Sequence, residues 1–335
     1  MSLIIDMHSH IIAPAAFSRL KSEPQTYGAS YEETENGPRF TFADTMQQQA
    51  GLVTPETWRR LTEMDLVKAH SKGIGADGAV LSTYISWHRY TLPMEVGLPF
   101  CRLLNDGLAE WIHGESAFRG MATLPLQDGT AAAAELRRTT SDGLIGAMLV
   151  TNTGDGRSLD AEHLEPLWQA AEELDAPIFL HPSNVAGRDR MYGWALENLI
   201  GNPLDTTIAA ASLILSGVMD RHPRLKVVLS HGGGYFPYGI GRLAHGYANN
   251  PATRKAAKQS PEAYLRSFYY DTIVYSPKAL KYLIELVGAD RIMLGTDYPF
   301  NMEPPDAVRA IEALEVGKEE SQRILGNAAE LYGFV

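Results

Sequence analysis

The stretch "LIIDMHSH", residues 3–10, runs apolar from Leu3 to Ile5, turns acidic at Asp6 and closes on two histidines one residue apart. An extended segment places residues i and i+2 on one side, so His8 and His10 converge on one point at the end of a short strand. Outward from it, apolar runs of strand length recur as "GAVLST" (78–83), "RGMATLPL" (119–126), "IGAMLVT" (145–151) and "PIFLHP" (177–182). They continue as "KVVLSHG" (226–232), "SFYYDTI" (267–273) and "RIMLGTD" (291–297). Most are near-continuous rather than alternating, as parallel strands covered on both faces are. Amphipathic segments of helical length, such as "ETWRRLTEMDLVKAHSKG" and "DAEHLEPLWQAAEELD", fill the intervals. Several open on Asp, Ser or Thr or close on Gly, as helix start and stop rules require. Eight strand–helix units in about 300 residues predict an α/β protein, a (β/α)8 TIM barrel rather than a doubly wound sheet.

Residues 13–57 depart from that rhythm. They are polar, rich in Gly and Pro, and too long for an ordinary connection. "PRFTF" within them reads as one arm of a small hairpin. In a barrel the segment follows strand one on the face where strands end, so we expect a lid or insertion within a single domain spanning 1–335.

With 335 residues, 45% apolar and 21% charged, the chain has an ordinary globular composition able to bury a large core. The 29 basic and 40 acidic residues give a net charge of −11, which argues against a broad nucleic-acid or anionic-membrane surface. The longest apolar-leaning stretch, "IAAASLILSGVM" from Ile208, is far short of the roughly 18 residues of a membrane span. Leu3–Met7 is too short for the core of a signal peptide, so a cytoplasmic location is expected. Cys101 is the one cysteine, which excludes an intrachain disulfide and a Cys-based zinc site. Its place on a helical apolar stripe predicts a buried, inert thiol.

The polar residues at the strand ends carry the chemistry. "PIFLHP" delivers His181, "KVVLSHG" delivers His231 and "RIMLGTD" delivers Asp297. With His8 and His10, five ligand or acid–base groups occupy C-terminal strand ends, which in a barrel face one cavity. Core packing explains any one of these, but five together predict a metal centre. His70, His113, His163 and His245 fall in helices or at helix ends and His222 in a turn, where solvated or capping roles are expected. His88, just past strand two, is a candidate to line the pocket.

On "DMHSH", "HP", "SHGGG" and "GTDYPF" the chain resembles the amidohydrolase superfamily, in particular its aminocarboxymuconate-semialdehyde decarboxylase-like branch. The likeness is continuous from about Thr62 onward and weak over 13–57. It implies one divalent cation held by His8, His10, His181 and Asp297, with His231, aided by Asp297, as acid–base catalyst. No lysine follows "IGAMLVT", where binuclear relatives carry a bridging carbamylated Lys, so the resemblance implies a single metal. Three imidazoles and a carboxylate suit Zn2+, with Mn2+, Fe2+ or Co2+ as alternatives. "HGGG" without a G-x-S-x-G elbow is not a lipase signature.

The implied reaction is non-oxidative decarboxylation of an unsaturated or aromatic carboxylic acid. The alternative is metal-dependent hydrolysis or hydration of a lactone, amide, C–C bond or alkene. A non-catalytic metal protein would lack one of these groups, and none is missing. Arg242 matches an arginine that in the relative reaches substrate from a neighbouring subunit, which predicts a homodimer. A second substrate-binding arginine of the relative falls near Gln48. A neutral Gln there removes a carboxylate anchor unless Arg59 or Arg60 compensates, and points to a monocarboxylate or phenolic acid. Tyr84, Trp87, Phe300 and Trp194 near strand ends predict a flat conjugated ligand.

Overall fold

The computed structural model describes residues 3–44 and 53–334. Ten strands occur among them: β1 (Ile5–Ile11), β2 (Ala29–Thr34), β3 (Gly37–Phe42), β4 (Gly78–Thr83) and β5 (Phe118–Met121), then β6 (Ala147–Val150), β7 (Ile178–His181), β8 (Val227–Leu229), β9 (Phe268–Asp271) and β10 (Ile292–Met293). Eight of them pair in parallel, in the orders β1-β4-β5 and β6-β7-β8-β9-β10. Isolated parallel bridges at Ala122–Ala147 and Ser9–Tyr298 join the two arcs into a ring. Three bonds seal the second junction: Met7 N–H to Leu294 O at 2.9 Å, His10 N–H to Tyr298 O at 2.7 Å and Asp297 N–H to His8 O at 2.9 Å. The fold is a (β/α)8 barrel.

Every residue of β6, β7 and β8 is buried, because barrel side chains cover one face and helices the other. That double cover is why these strands are written as unbroken apolar runs. The helix Glu165–Glu173 turns Leu167, Trp168, Ala170 and Ala171 inward. The helix Gly129–Ser141 starts where the Asp128 carboxylate accepts the N–H groups of Thr130 and Ala131 at 2.8 and 3.0 Å. Most strands are shorter than the runs that predict them, and two show why. The ladder of "RIMLGTD" stops at Met293 because Leu294–Tyr298 leaves β9 to pair with β1. "RGMATLPL" stops at Met121, and Ala122 bridges directly to β6.

Within the predicted insertion, β2 and β3 form an antiparallel hairpin whose second arm is the "PRFTF" segment. Phe40 of this hairpin packs edge-on against Trp87, with centroids 5.5 Å apart, and beside Phe17 and Tyr31. Cys101 is buried, as expected. No helix of the described residues is long and apolar enough to cross a membrane.

Candidate metal centre

The centre begins with a bulge. The pairing of β1 with β4 shifts register between Asp6 and Ser9, which re-aims the strand end. The Asp6 carboxylate anchors this turn, accepting His8 N–H at 3.1 Å and Ser9 Oγ–H at 2.8 Å. It also accepts Thr296 N–H at 3.1 Å and Thr296 Oγ1–H at 2.6 Å, tying β1 to the segment that carries Asp297.

Above that anchor, one ligand atom each of His8, His10, His181 and Asp297 fall within 4.8 Å of one another, all buried. His8 Nε2 lies 3.2 Å from both His10 Nε2 and Asp297 Oδ1. His10 Nε2 is 3.1 Å, and His181 Nε2 3.6 Å, from the same Oδ1. One carboxylate oxygen cannot satisfy three imidazoles, and His181 Nε2 is buried with no hydrogen-bond partner among the described residues. Donors placed tetrahedrally about 2.1 Å from a cation lie about 3.4 Å apart, close to these separations. The donor set fits one divalent metal ion.

Outer contacts orient the rings. His8 Nδ1–H donates to Asp271 Oδ2 at 2.8 Å and His181 Nδ1–H to Pro182 O at 3.0 Å, leaving the Nε2 lone pairs directed inward. Asp271, at the end of β9, also accepts the N–H groups of His231 (2.9 Å), Gly232 (2.8 Å) and Ile273 (3.0 Å). Burial holds His10 and His181 below the usual imidazole range, so both are neutral, as ligation requires. Burial opposes protonation of His8 too, but the Asp297 and Asp271 carboxylates outweigh it and raise its pKa to about 10. Burial likewise opposes ionisation of Asp297, yet the facing imidazoles, His8 foremost, hold its carboxyl well below the ordinary range.

His231 closes the group, its Nε2 3.6 Å from Asp297 Oδ2. Both residues have left-handed backbones, φ 55° and 60°, a conformation non-glycine residues rarely hold unless the surroundings enforce it. The glycines after His231 serve close approach: a Cβ on Gly234 would sit 2.1 Å from Pro203 O.

Two cavities meet at Asp297. The larger, about 430 Å³, is walled by Tyr84, His181, Glu197, Asn202 and Phe300 among others. The smaller, about 250 Å³, reaches His231, Tyr235 and Tyr275. No Lys or Arg among the described residues lines either cavity.

The structure brings His8, His10, His181, His231 and Asp297 together, and Tyr84 and Phe300 border the larger cavity with ring centroids 5.7 Å apart. Trp87 lies elsewhere, packed in the core between Phe40 and Phe100 and on neither lining. Trp194 is 87% exposed beside the cavity-lining Gly193 and Ala195. Arg242 is exposed on the helix Phe236–Asn249 and on neither lining, one turn beyond Tyr238, which borders the smaller cavity. Gln48 lies outside the described residues. Arg59 and Arg60 are held by carboxylates: Glu63 at 2.9 Å and Glu303 at 2.6 Å.

Three other histidines differ from expectation. His88 is buried against Tyr90 and Thr123 rather than on a lining, and burial lowers its pKa to about 3. His70 is not solvated. Its ring is tilted 35° against that of Tyr298, centroids 4.4 Å apart, and it places Nδ1 3.0 Å from the Glu303 carboxylate and Nε2 3.7 Å from that of Asp6. His222 is buried with Nε2 2.9 Å from Glu165. Sequence reasoning also missed Asp271, although "SFYYDTI" closes on a polar residue in the manner of the ligand-bearing strands.

Comparison with known proteins agrees with this arrangement. The amidohydrolase family profile matches residues 5–334. The chain is 36% identical over 262 residues to the 2-amino-3-carboxymuconate-6-semialdehyde decarboxylase of Dictyostelium discoideum, covering 77% of this chain and 73% of that one. It is 31% identical over 284 residues to the gamma-resorcylate decarboxylase of Rhizobium radiobacter, covering 78% and 86%. A crystal structure of a dihydroxybenzoic acid decarboxylase from Polaromonas sp. JS666, with bound manganese and the inhibitor 2-nitroresorcinol, superposes with a TM-score of 0.80 at 26% identity, covering 99% and 97%.

Proposed function

The chain belongs to the amidohydrolase family, and from that premise we propose that it is a metal-dependent, non-oxidative decarboxylase of a small aromatic acid. The observation that carries the reading is the division of labour within Asp297. Its Oδ1 faces three imidazoles, while its Oδ2 faces His231 where the two cavities meet.

His8, His10, His181 and Asp297 would hold the ion, Zn2+ by the donor set, although the Polaromonas relative binds manganese. Bound there, a divalent cation supplies Lewis-acid charge that orients and polarises an anionic oxygen of the substrate. The protein does the rest. Tyr84 and Phe300 offer flat apolar surface for the ring. His231 and Asp297 Oδ2 can hold a proton between them and deliver it to the ring carbon bearing the carboxylate. The electron pair of the breaking C–C bond returns to the ring as CO2 departs, so a proton replaces carbon dioxide without any oxidant.

With no Lys or Arg on the described lining, a single carboxylate per substrate is the better fit, in keeping with an aromatic monocarboxylate or phenolic acid. In a homodimer a second copy would supply the exposed Arg242 to the cavity mouth, as the resemblance implies. The β2–β3 hairpin, seated on Trp87 three residues beyond Tyr84, supports a lid role for residues 13–57 within the one domain.

The test is CO2 release and ultraviolet change on hydroxybenzoates with enzyme loaded with Zn2+ or Mn2+. His231→Ala should lose roughly 100-fold or more in kcat while retaining one equivalent of metal. Full activity in that variant would refute the proton role, and turnover without CO2 would favour the hydrolase or hydratase reading.

A further inference from the structure

Asn202 begins the helix Asn202–Leu215 and walls both cavities at their junction near Asp297. It is only 4% exposed, yet its Oδ1 has no hydrogen-bond partner among the described residues. Buried amides in folded proteins are ordinarily paired, so this one is a group held ready for something else. The π-helical turn Glu197–Gly201 runs straight into this helix, so Asn202 caps no free helix end. Asp205, one turn on, is fully engaged, taking Asn152 Nδ2–H at 2.8 Å, Ala186 N–H at 3.0 Å and the Thr151 hydroxyl. The Asn202 backbone carbonyl accepts Thr206 Oγ1–H at 3.2 Å. The carbonyl of Pro203, the next residue, lies close against the Gly234 backbone.

The walls around it define what it can meet. They are largely apolar, with Leu196, Leu199, Ile273 and Met302, and among the described residues the one carboxylate besides Asp297 is Glu197. A second carboxylate on the ligand would need a cation, and the described lining has none to offer, the Glu197 carboxylate already holding Arg188 at 3.1 Å. A hydroxyl would not, because it is neutral and both gives and takes a hydrogen bond, as a primary amide does.

We propose that Asn202 is the specificity-determining residue of this cavity, reading a ring hydroxyl of an aromatic monocarboxylate additional to any group beside the metal. The proposal rests on the decarboxylase reading for its ligand class, but its test does not need turnover. Calorimetric Kd values are measured on Zn2+-loaded enzyme for 2-hydroxybenzoate and for its 2,3-, 2,4-, 2,5- and 2,6-dihydroxy counterparts. In the wild type at least one dihydroxy isomer should bind about tenfold more tightly than 2-hydroxybenzoate, the worth of one well-made hydrogen bond to a waiting partner. In Asn202→Leu, and in Asn202→Ala should the larger side chain prevent folding, that ratio should fall below about twofold. A ratio that survives both substitutions overturns the proposal, as does a wild type that prefers no isomer. If the preference is present and lost as expected while no acid releases CO2, the decarboxylase reading fails and the role of Asn202 stands.

Discussion

Replacing Asp271 by Asn should damage both the fold and the metal centre, and the structure sets the size of the effect. Four donors converge on this carboxylate: Oδ2 takes His8 Nδ1–H at 2.8 Å and His231 N–H at 2.9 Å, and Oδ1 takes Gly232 N–H at 2.8 Å and Ile273 N–H at 3.0 Å. Asparagine keeps one acceptor oxygen, and its NH2 must face two N–H groups in either orientation. Two buried donors are orphaned at about 1–3 kcal/mol each, so we expect a loss of about 2–6 kcal/mol in urea unfolding of the metal-stripped protein. His8 also loses its orienting contact, for which a 10–100-fold weaker metal affinity is typical. Burial opposes ionisation of Asp271, but His8 and the backbone donors hold its pKa below the ordinary value. The carboxylate's contribution is thus present above its unfolded pKa of about 4 and fades as pH falls through its lower folded value, so the gap to the variant should narrow in acid. A variant within 1 kcal/mol of wild type, with unchanged metal titration, would refute the assignment of Asp271 as the brace of His8 and His231.

Two further substitutions test other parts of the frame. Burial opposes charging of His70, but Asp6 and Glu303 outweigh it and lift its pKa to about 9 from 6.5. Its stabilisation, roughly 3 kcal/mol, is complete below pH 6.5 and lost as pH rises through about 9. His70→Gln should therefore be much less stable than wild type at pH 6 and nearly equal at pH 10 by urea unfolding; a gap independent of pH would refute the ion pairing. Gly234→Ala puts a methyl 2.1 Å from Pro203 O at a residue with φ 62°. Overpacking alone should cost about 1–3 kcal/mol and displace His231, so melting temperature and CO2 release should fall together; wild-type values of both would show that the loop yields freely.

Much of this was legible in the amino-acid order, for a physical reason. Parallel strands buried on both faces must be apolar throughout, so β6, β7 and β8 announce themselves, and the polar residue closing each run stands out. His181, His231 and Asp297 were found that way. Asp271 closes such a run as well, but a lone acid at a strand end carries no sign of the four donors awaiting it. His70 was misread because helical periodicity identifies a face without revealing that Asp6 and Glu303 lie opposite it. An aromatic past a strand end reads the same whether it borders a cavity or fills a core; only the hairpin's Phe40 decides that Trp87 belongs to the core. Asn202 was invisible for a subtler reason. An unpaired amide is defined by what does not surround it, and that is a property of the folded interior alone.

Closure of the barrel between β1 and the segment after β10 also has a consequence for how the protein is made. His10 and Asp297 are 287 positions apart, which at ribosomal rates of 5–20 residues per second separates their synthesis by roughly 15–60 s. During that interval the nascent chain displays two imidazoles without their carboxylate, and a bare bis-imidazole pair favours copper over zinc or manganese. Only the finished ring brings His181 and Asp297 up to complete the four-donor set.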